Sequence, residues 1–176
     1  MEWVSRILKT VSQENLHLEI GWDSIEYELG TPLPDDFKKL TESIGVGEFS
    51  EYLYVYTSSK KSSSFSVLGD LAGIRRALER QPSAVRVYEP YPIYTPGGEG
   101  LIPWGGAVQE GVEFYWLAGG EDPNKWPVLA RLDPSEEWYR FDMTVSEFVF
   151  RMLTGDEKVS PFRIPDVMGP PRYEVY

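Results

Sequence analysis

The chain has no cysteine among its 176 residues, which removes disulfides and thiolate metal sites. It has one histidine, His17, so no His–His metal pair can form within it. A nucleophilic triad would have to use His17, which has no serine elbow or cysteine to serve. Long apolar runs are also missing, and none approaches the roughly 20 residues of a membrane span. The opening segment lacks the continuous hydrophobic stretch of a secretory leader. Trp3, Val4, Ile7, Leu8 and Val11 instead form a periodic face interrupted by Arg6 and Lys9. A cytoplasmic location is the expectation. Phosphate-binding glycine patterns are absent as well. The pairs Gly97–Gly98, Gly105–Gly106 and Gly119–Gly120 precede no Lys-Ser or Lys-Thr, and none has the three-glycine dinucleotide spacing before a helix.

Basic charge is scarce. There are 17 Lys and Arg against 28 Asp and Glu, a net charge of −11. Residues 1–60 carry 11 acidic against 5 basic groups, residues 61–100 carry 4 against 5, and residues 101–176 carry 13 against 7. The two acidic ends flank a nearly neutral centre whose arginines 75, 76 and 80 would share one helix face. A surface this negative repels phosphate backbones and anionic lipids and attracts cationic partners, so neither nucleic acid nor membrane is expected.

Core material, by contrast, is ample. With 41% hydrophobic residues, 6 Trp and 11 Tyr, the chain fits one domain, and a fold of this size buries about 70% of its unfolded surface. Its most legible stretch is Trp22–Gly45. Trp22, Ile25 and Leu29 stand at i, i+3, i+7, and Phe37, Leu40 and Ile44 repeat the spacing, each set followed by a glycine stop. Pro32 and Pro34 form a rigid corner between the two helices, and Asp35 and Asp36 favour the positive end of the second.

Residues 2–12 read as a peripheral amphipathic helix, and Asp70 is expected to cap a helix that Pro82 ends. Tyr52–Tyr56 reads as a strand, and residues 58–66 as a polar serine-rich loop. Residues 85–96, with three prolines, read as an edge strand or extended loop. The segments Leu101–Trp104, Val112–Leu117, Trp126–Leu132 and Glu137–Phe141 predict an antiparallel meander. Thr144 and Glu147 form a capping box before a core helix that Gly155 ends. Residues 156–176 are proline-rich and lack periodicity, so the expected division is a domain over 1–155 and an extended tail over 156–176.

Catalytic chemistry finds little to stand on. Adjacent acids such as Asp35–Asp36 diverge on a helix, which argues against a shared ion there. Glu121–Asp122 is a pair only as any two acids are, and a glycosidase pair stays open because many acids always allow some suitable separation. The weight of the sequence is against an enzyme, with no cofactor and no metal expected.

Several segments, in order, resemble the SUKH superfamily, which includes the fungal Smi/Knr-type cell-wall assembly regulators and many bacterial proteins. These are Ile25-Glu26, Leu29-Gly30, Leu33-Pro34-Asp35-Asp36-Phe37, Leu40 and Gly45, then Leu101-Ile102-Pro103-Trp104-Gly105. Phe114-Tyr115-Trp116, Trp126-Pro127-Val128 and Ser146-Glu147-Phe148 with Leu153 and Gly155 follow. The resemblance covers about residues 20–155. It implies an α+β fold, a single domain whose central, mostly antiparallel mixed sheet is packed by about four helices. It also implies a non-enzymatic immunity protein that binds a cognate secreted polymorphic or contact-dependent toxin, often a nuclease. The alternative is a regulatory or scaffolding module like the fungal relatives. Nuclease sites are cationic, so the acidic charge fits such a partner. Acid-plus-aromatic composition places the partner surface around Tyr91, Tyr94, Trp104, Glu110, Glu113, Glu121 and Asp122.

Overall fold

The helix–corner–helix forms where the sequence places it. The computed structural model describes residues 2–56, 65–107 and 111–176. The first helix, α1 (Glu2–Thr10), buries Val4 and Ile7. α2 (Trp22–Leu29) stops at Gly30, whose φ of 78° lets its N–H reach the Glu26 carbonyl. A side chain there would stand 2.9 Å from the Pro96 ring, so both backbone and space require glycine. The corner is tied by one carboxylate. Glu26 Oε1 accepts the Leu33 N–H at 2.9 Å and the Lys38 ammonium at 2.9 Å.

α3 (Asp35–Ile44) follows, with Pro34 extended at its N-cap and both aspartates in the first turn. The two carboxylates diverge. Asp36 Oδ2 takes the backbone N–H and the hydroxyl of Ser146 at 2.8 and 2.9 Å. Asp35 faces Asn124 and Lys38.

Seven strands make one sheet: β1 (Gly47–Phe49), β2 (Leu53–Val55), β3 (Gly100–Ala107), β4 (Glu113–Ala118), β5 (Val128–Arg131), β6 (Tyr139–Phe141) and β7 (Tyr173–Val175). Their order is β6-β5-β4-β3-β2-β1-β7, and every one of these pairs is antiparallel. The fold is thus α+β, and the sheet is antiparallel rather than mixed; a parallel bridge joins only Ile93 and Leu101. Pro103, which has no N–H to give a central strand, is accommodated by a register shift between Pro103 and Gly105. Next to it β2 comes so close that a Cβ on Gly105 would lie 2.6 Å from the Tyr54 carbonyl oxygen.

The pleat divides the core in two. Ile102, Trp104, Phe114, Trp116, Val128 and Phe141 join the main cluster with α1, α2, α3 and α5 (Val145–Thr154). Thr144 Oγ1 caps α5 by accepting the Glu147 N–H, as the capping box requires, while the Glu147 carboxylate pairs with Arg151. Leu101, Tyr115 and Leu129 form a smaller cluster on the opposite face. That face receives α4 (Val67–Arg80) through Ile74, and the 3-10 segment Pro82–Tyr88 through Tyr88.

Three expectations are corrected. Ser66, not Asp70, caps α4, accepting the Gly69 N–H at 3.2 Å. Of residues 85–96, expected as an edge strand or extended loop, 85–88 instead finish the 3-10 helix Pro82–Tyr88, because Pro82 opens a turn that carries on past α4, while 89–96 run as a loop with one bridge at Ile93. Residues 156–176 are no extended tail. They hold a 3-10 turn at Glu157–Val159, the short helix α6 (Pro165–Met168) and β7, and they bury Val159, Phe162 and Ile164 in the main core. The described residues therefore form one compact domain with six helices rather than about four. Of the serine-rich stretch 58–66, residues 58–64 lie outside the described residues, and Ser66 is the N-cap of α4.

Candidate protein-binding surface

Glu113 organises the polar side of the second sheet face. In the strand register Glu174, Glu48, Tyr54, Gly106, Glu113 and Arg131 stand opposite one another across β7, β1, β2, β3, β4 and β5. Directly paired residues project to the same side, so this row is a belt across the sheet. At one end Arg131 is buried, 1% exposed. Glu113 Oε2 accepts from its Nε at 2.9 Å and its Nη2 at 2.6 Å. Nη1 donates to the Val87 and Pro134 carbonyls. The guanidinium lies 4.4 Å from the Trp138 ring centroid and 5.3 Å from that of Tyr88, a carboxylate-and-aromatic box closed on every side.

Beyond Gly106 the belt becomes aromatic. The rings of Tyr176, Phe65, Tyr54 and Tyr56 follow one another at 6.0, 5.4 and 5.8 Å between centroids. The Tyr56 hydroxyl hydrogen-bonds to Asp70 in the first turn of α4. Burial raises the Asp70 carboxyl, the Tyr56 hydrogen bond opposes that rise, and the charge of Glu113 adds to it. Burial, then the charge of Asp70, raises the Tyr54 and Tyr56 phenols. Burial, then Glu113, raises Tyr88 and Tyr115. Tyr176 is pushed up to about 12, chiefly by the hydrogen bond it donates to Glu48.

A second acidic region lies at the sheet end where β3 begins and β4 finishes. Glu99 and Glu121 are exposed there, and Asp142 follows β6. Asp122 caps the Pro123–Lys125 turn through the Asn124 N–H and pairs with Lys125 at 3.3 Å. Asn124 in turn accepts the Asp35 N–H at 2.8 Å, which fastens this turn to α3. A groove of about 280 Å³ runs beside it, floored by Gly97, Gly98, Gly119 and Gly120 and walled by Glu99 and Trp126.

The seven residues expected on one surface are therefore dispersed. Trp104 is fully buried, stacked on Phe114 at 5.1 Å, and belongs to the main core. Tyr94 is 2% exposed, and its carbonyl accepts from Arg75. Both are corrections, and the reason is pleat and packing: an aromatic in a central strand or under a helix end serves the core. Tyr91 is half-buried against Trp138 at 5.8 Å. Glu113 lies in the belt, while Glu121 and Asp122 lie at the opposite end of β4. Glu110 lies outside the described residues. Arg131 and Tyr54 were not singled out from sequence, and Asp70 was read there only as a helix cap, although alternation puts Arg131 in phase with Leu129, and Glu113 in phase with Tyr115.

Among the described residues no group of three or more His, Asp or Glu is placed to hold a metal ion. Nor does any described helix have the length and apolarity to cross a membrane. No protein-family model, curated protein or solved structure matches this chain.

Proposed function

We propose that the chain is a non-enzymatic immunity protein of the SUKH type that binds and neutralises a cationic toxin, a nuclease being the chemistry that fits best. The observation that carries this reading is where the carboxylates stand. Glu99, Glu121, Asp122 and Asp142 crowd the turn end of the sheet, where Asp122 pairs with Lys125 and Asp142 with Arg140. A surface of that sign accelerates encounter with a phosphate-binding, hence cationic, protein. The element order adds support. A helix pair, an antiparallel meander and a capped helix follow one another as the resemblance implies, and its motif residues Leu29, Leu33, Phe37 and Trp104 are core. They specify the scaffold and leave the surface free to specify the partner. On this reading the protein acts in the cytoplasm, where an incoming nuclease finds nucleic acid.

The test is co-expression with the product of the adjacent gene. The expected result is that this product is toxic alone, is rendered harmless by the chain, and co-purifies with it. Charge reversal at Glu121 and Asp142 together should slow association. An adjacent product that is harmless, or that is not bound, overturns the reading.

A further inference from the structure

The belt on the second sheet face contains two similar settings, and the protein fills one of them itself. Arg131 shows what that chemistry accepts: a guanidinium held by Glu113 and flanked by the rings of Tyr88 and Trp138. Next along the same row the ingredients recur. Tyr54 leans across Gly106 so closely that a Cβ there would meet its hydroxyl at 2.5 Å, which brings the phenol towards Glu113. Asp70 approaches from α4, bonded to Tyr56, and the Glu113 side chain keeps 34% of its surface exposed. Tyr54 and Asp70 are likewise half-buried. Two carboxylates and the Tyr54 ring thus converge, with Tyr56 buried behind them, where among the described residues Arg131 is the cation of the row and is already engaged on all sides.

We propose that this part of the sheet face, formed by Tyr54, Asp70 and Glu113, is a docking slot for an arginine side chain of a cationic partner protein. Arginine rather than lysine is the occupant. A planar guanidinium stacks on a ring face while its fork of donors meets carboxylates, and a compact, strongly hydrated ammonium gains less from both. Burial raises the Asp70 carboxyl and the Glu113 charge adds to that rise, a repulsion that a guest cation relieves. The proposal rests on the binding reading above only in assigning the arginine to a partner; the chemistry of the slot stands apart from what that partner does.

The experiment is an NMR titration of the whole protein with the blocked peptide acetyl-Gly-Arg-Gly-amide, and with its lysine counterpart. The arginine peptide should shift the Gly106 amide and the Tyr54 ring saturably and more strongly than the lysine peptide does. Asp70→Asn and Tyr54→Leu should each weaken binding by about tenfold, as the loss of one charge-assisted contact does. Glu14→Gln, exposed beyond α1, should leave it unchanged. Shifts spread evenly over the acidic surface, equal binding of lysine, or unaltered binding by Asp70→Asn overturn the slot, as does the lack of any saturable shift. Circular dichroism on each variant separates lost binding from lost fold. If the adjacent gene product is not bound while arginine still titrates the slot, the immunity reading falls and the slot stands. If the product is bound equally well by Tyr54→Leu and arginine does not titrate, the slot falls and the immunity reading stands.

Discussion

Arg131 is the residue on which the second sheet face depends. A buried guanidinium is tolerable only because every donor that faces inward has an acceptor, here Glu113 and the carbonyls of Val87 and Pro134. Replacing it by methionine keeps the apolar stem and strands those acceptors. Arg131→Met should therefore lower stability by about 3 kcal/mol, the range found for breaking a buried pair from one side. Urea unfolding followed by tryptophan fluorescence measures it, and a loss below about 1 kcal/mol would show that Glu113 and the carbonyls are rescued by water. Adding Glu113→Gln should return part of the loss, because the orphan is then neutral. This pair was half legible in the sequence. An arginine closing an apolar strand looks like a strand end facing solvent. Only the register, which places residue 113 opposite 131, turns two ordinary charged residues into one buried contact. Trp104 and Tyr94 failed in the other direction. Their types suit an interface, but type alone does not distinguish an anchor offered to a partner from one already used by the core.

The elements that sequence reveals are those that repeat. α2, α3 and α5 bury residues at three- and four-residue spacings, so each was readable from period and stop signals, whereas β3 and β5 are buried along their whole length and were legible as runs of β-formers between glycine pairs. Residues 82–88 mislead because Val85 and Val87 alternate like a strand, yet both are exposed and Tyr88 is the side chain that packs inward. The segment after Gly155 is hidden for the opposite reason. Val159, Phe162 and Ile164 are all buried, but their spacing fits neither period, since a 3-10 turn and prolines carry the backbone between them. Phe162 meets Phe114, Phe141 and Phe148 at 5.8, 5.9 and 6.2 Å. Phe162→Ala should thus cost about 3–5 kcal/mol, the usual loss for emptying an aromatic site in a closed core. Truncation after Gly155 should remove the cooperative thermal transition altogether, because it also deletes β7 from the sheet edge. If calorimetry on the truncated chain finds the transition intact, residues 156–176 are an appendage after all.

At the scale of the whole molecule, the tyrosines couple the fold to pH. The phenols at 54, 56, 88, 115 and 173 are all raised, burial being the first cause in each, with neighbouring carboxylates or phenols adding to it. A group whose pKa is higher folded than unfolded contributes its full stability below the unfolded value, about 10 for tyrosine, and that stability is lost as pH rises through the folded value. Several such groups lie in both clusters and on both sides of the sheet, so none can ionise in place without desolvating a charge or opposing one. Net charge acts in the same direction, because a chain at −11 near neutrality becomes more negative as lysines and phenols lose protons. The expected outcome is one alkaline transition well above pH 10. The absorbance of tyrosinate at 295 nm and the far-ultraviolet dichroism should change together, with the buried phenols ionising as a group when the sheet opens. Moderate salt should move the transition to higher pH by screening the self-repulsion, without separating the two signals. Phenols that titrate smoothly around pH 10 while the dichroism stays unchanged would mean that the second face opens to water on its own. The two clusters would then be separate units of stability rather than one.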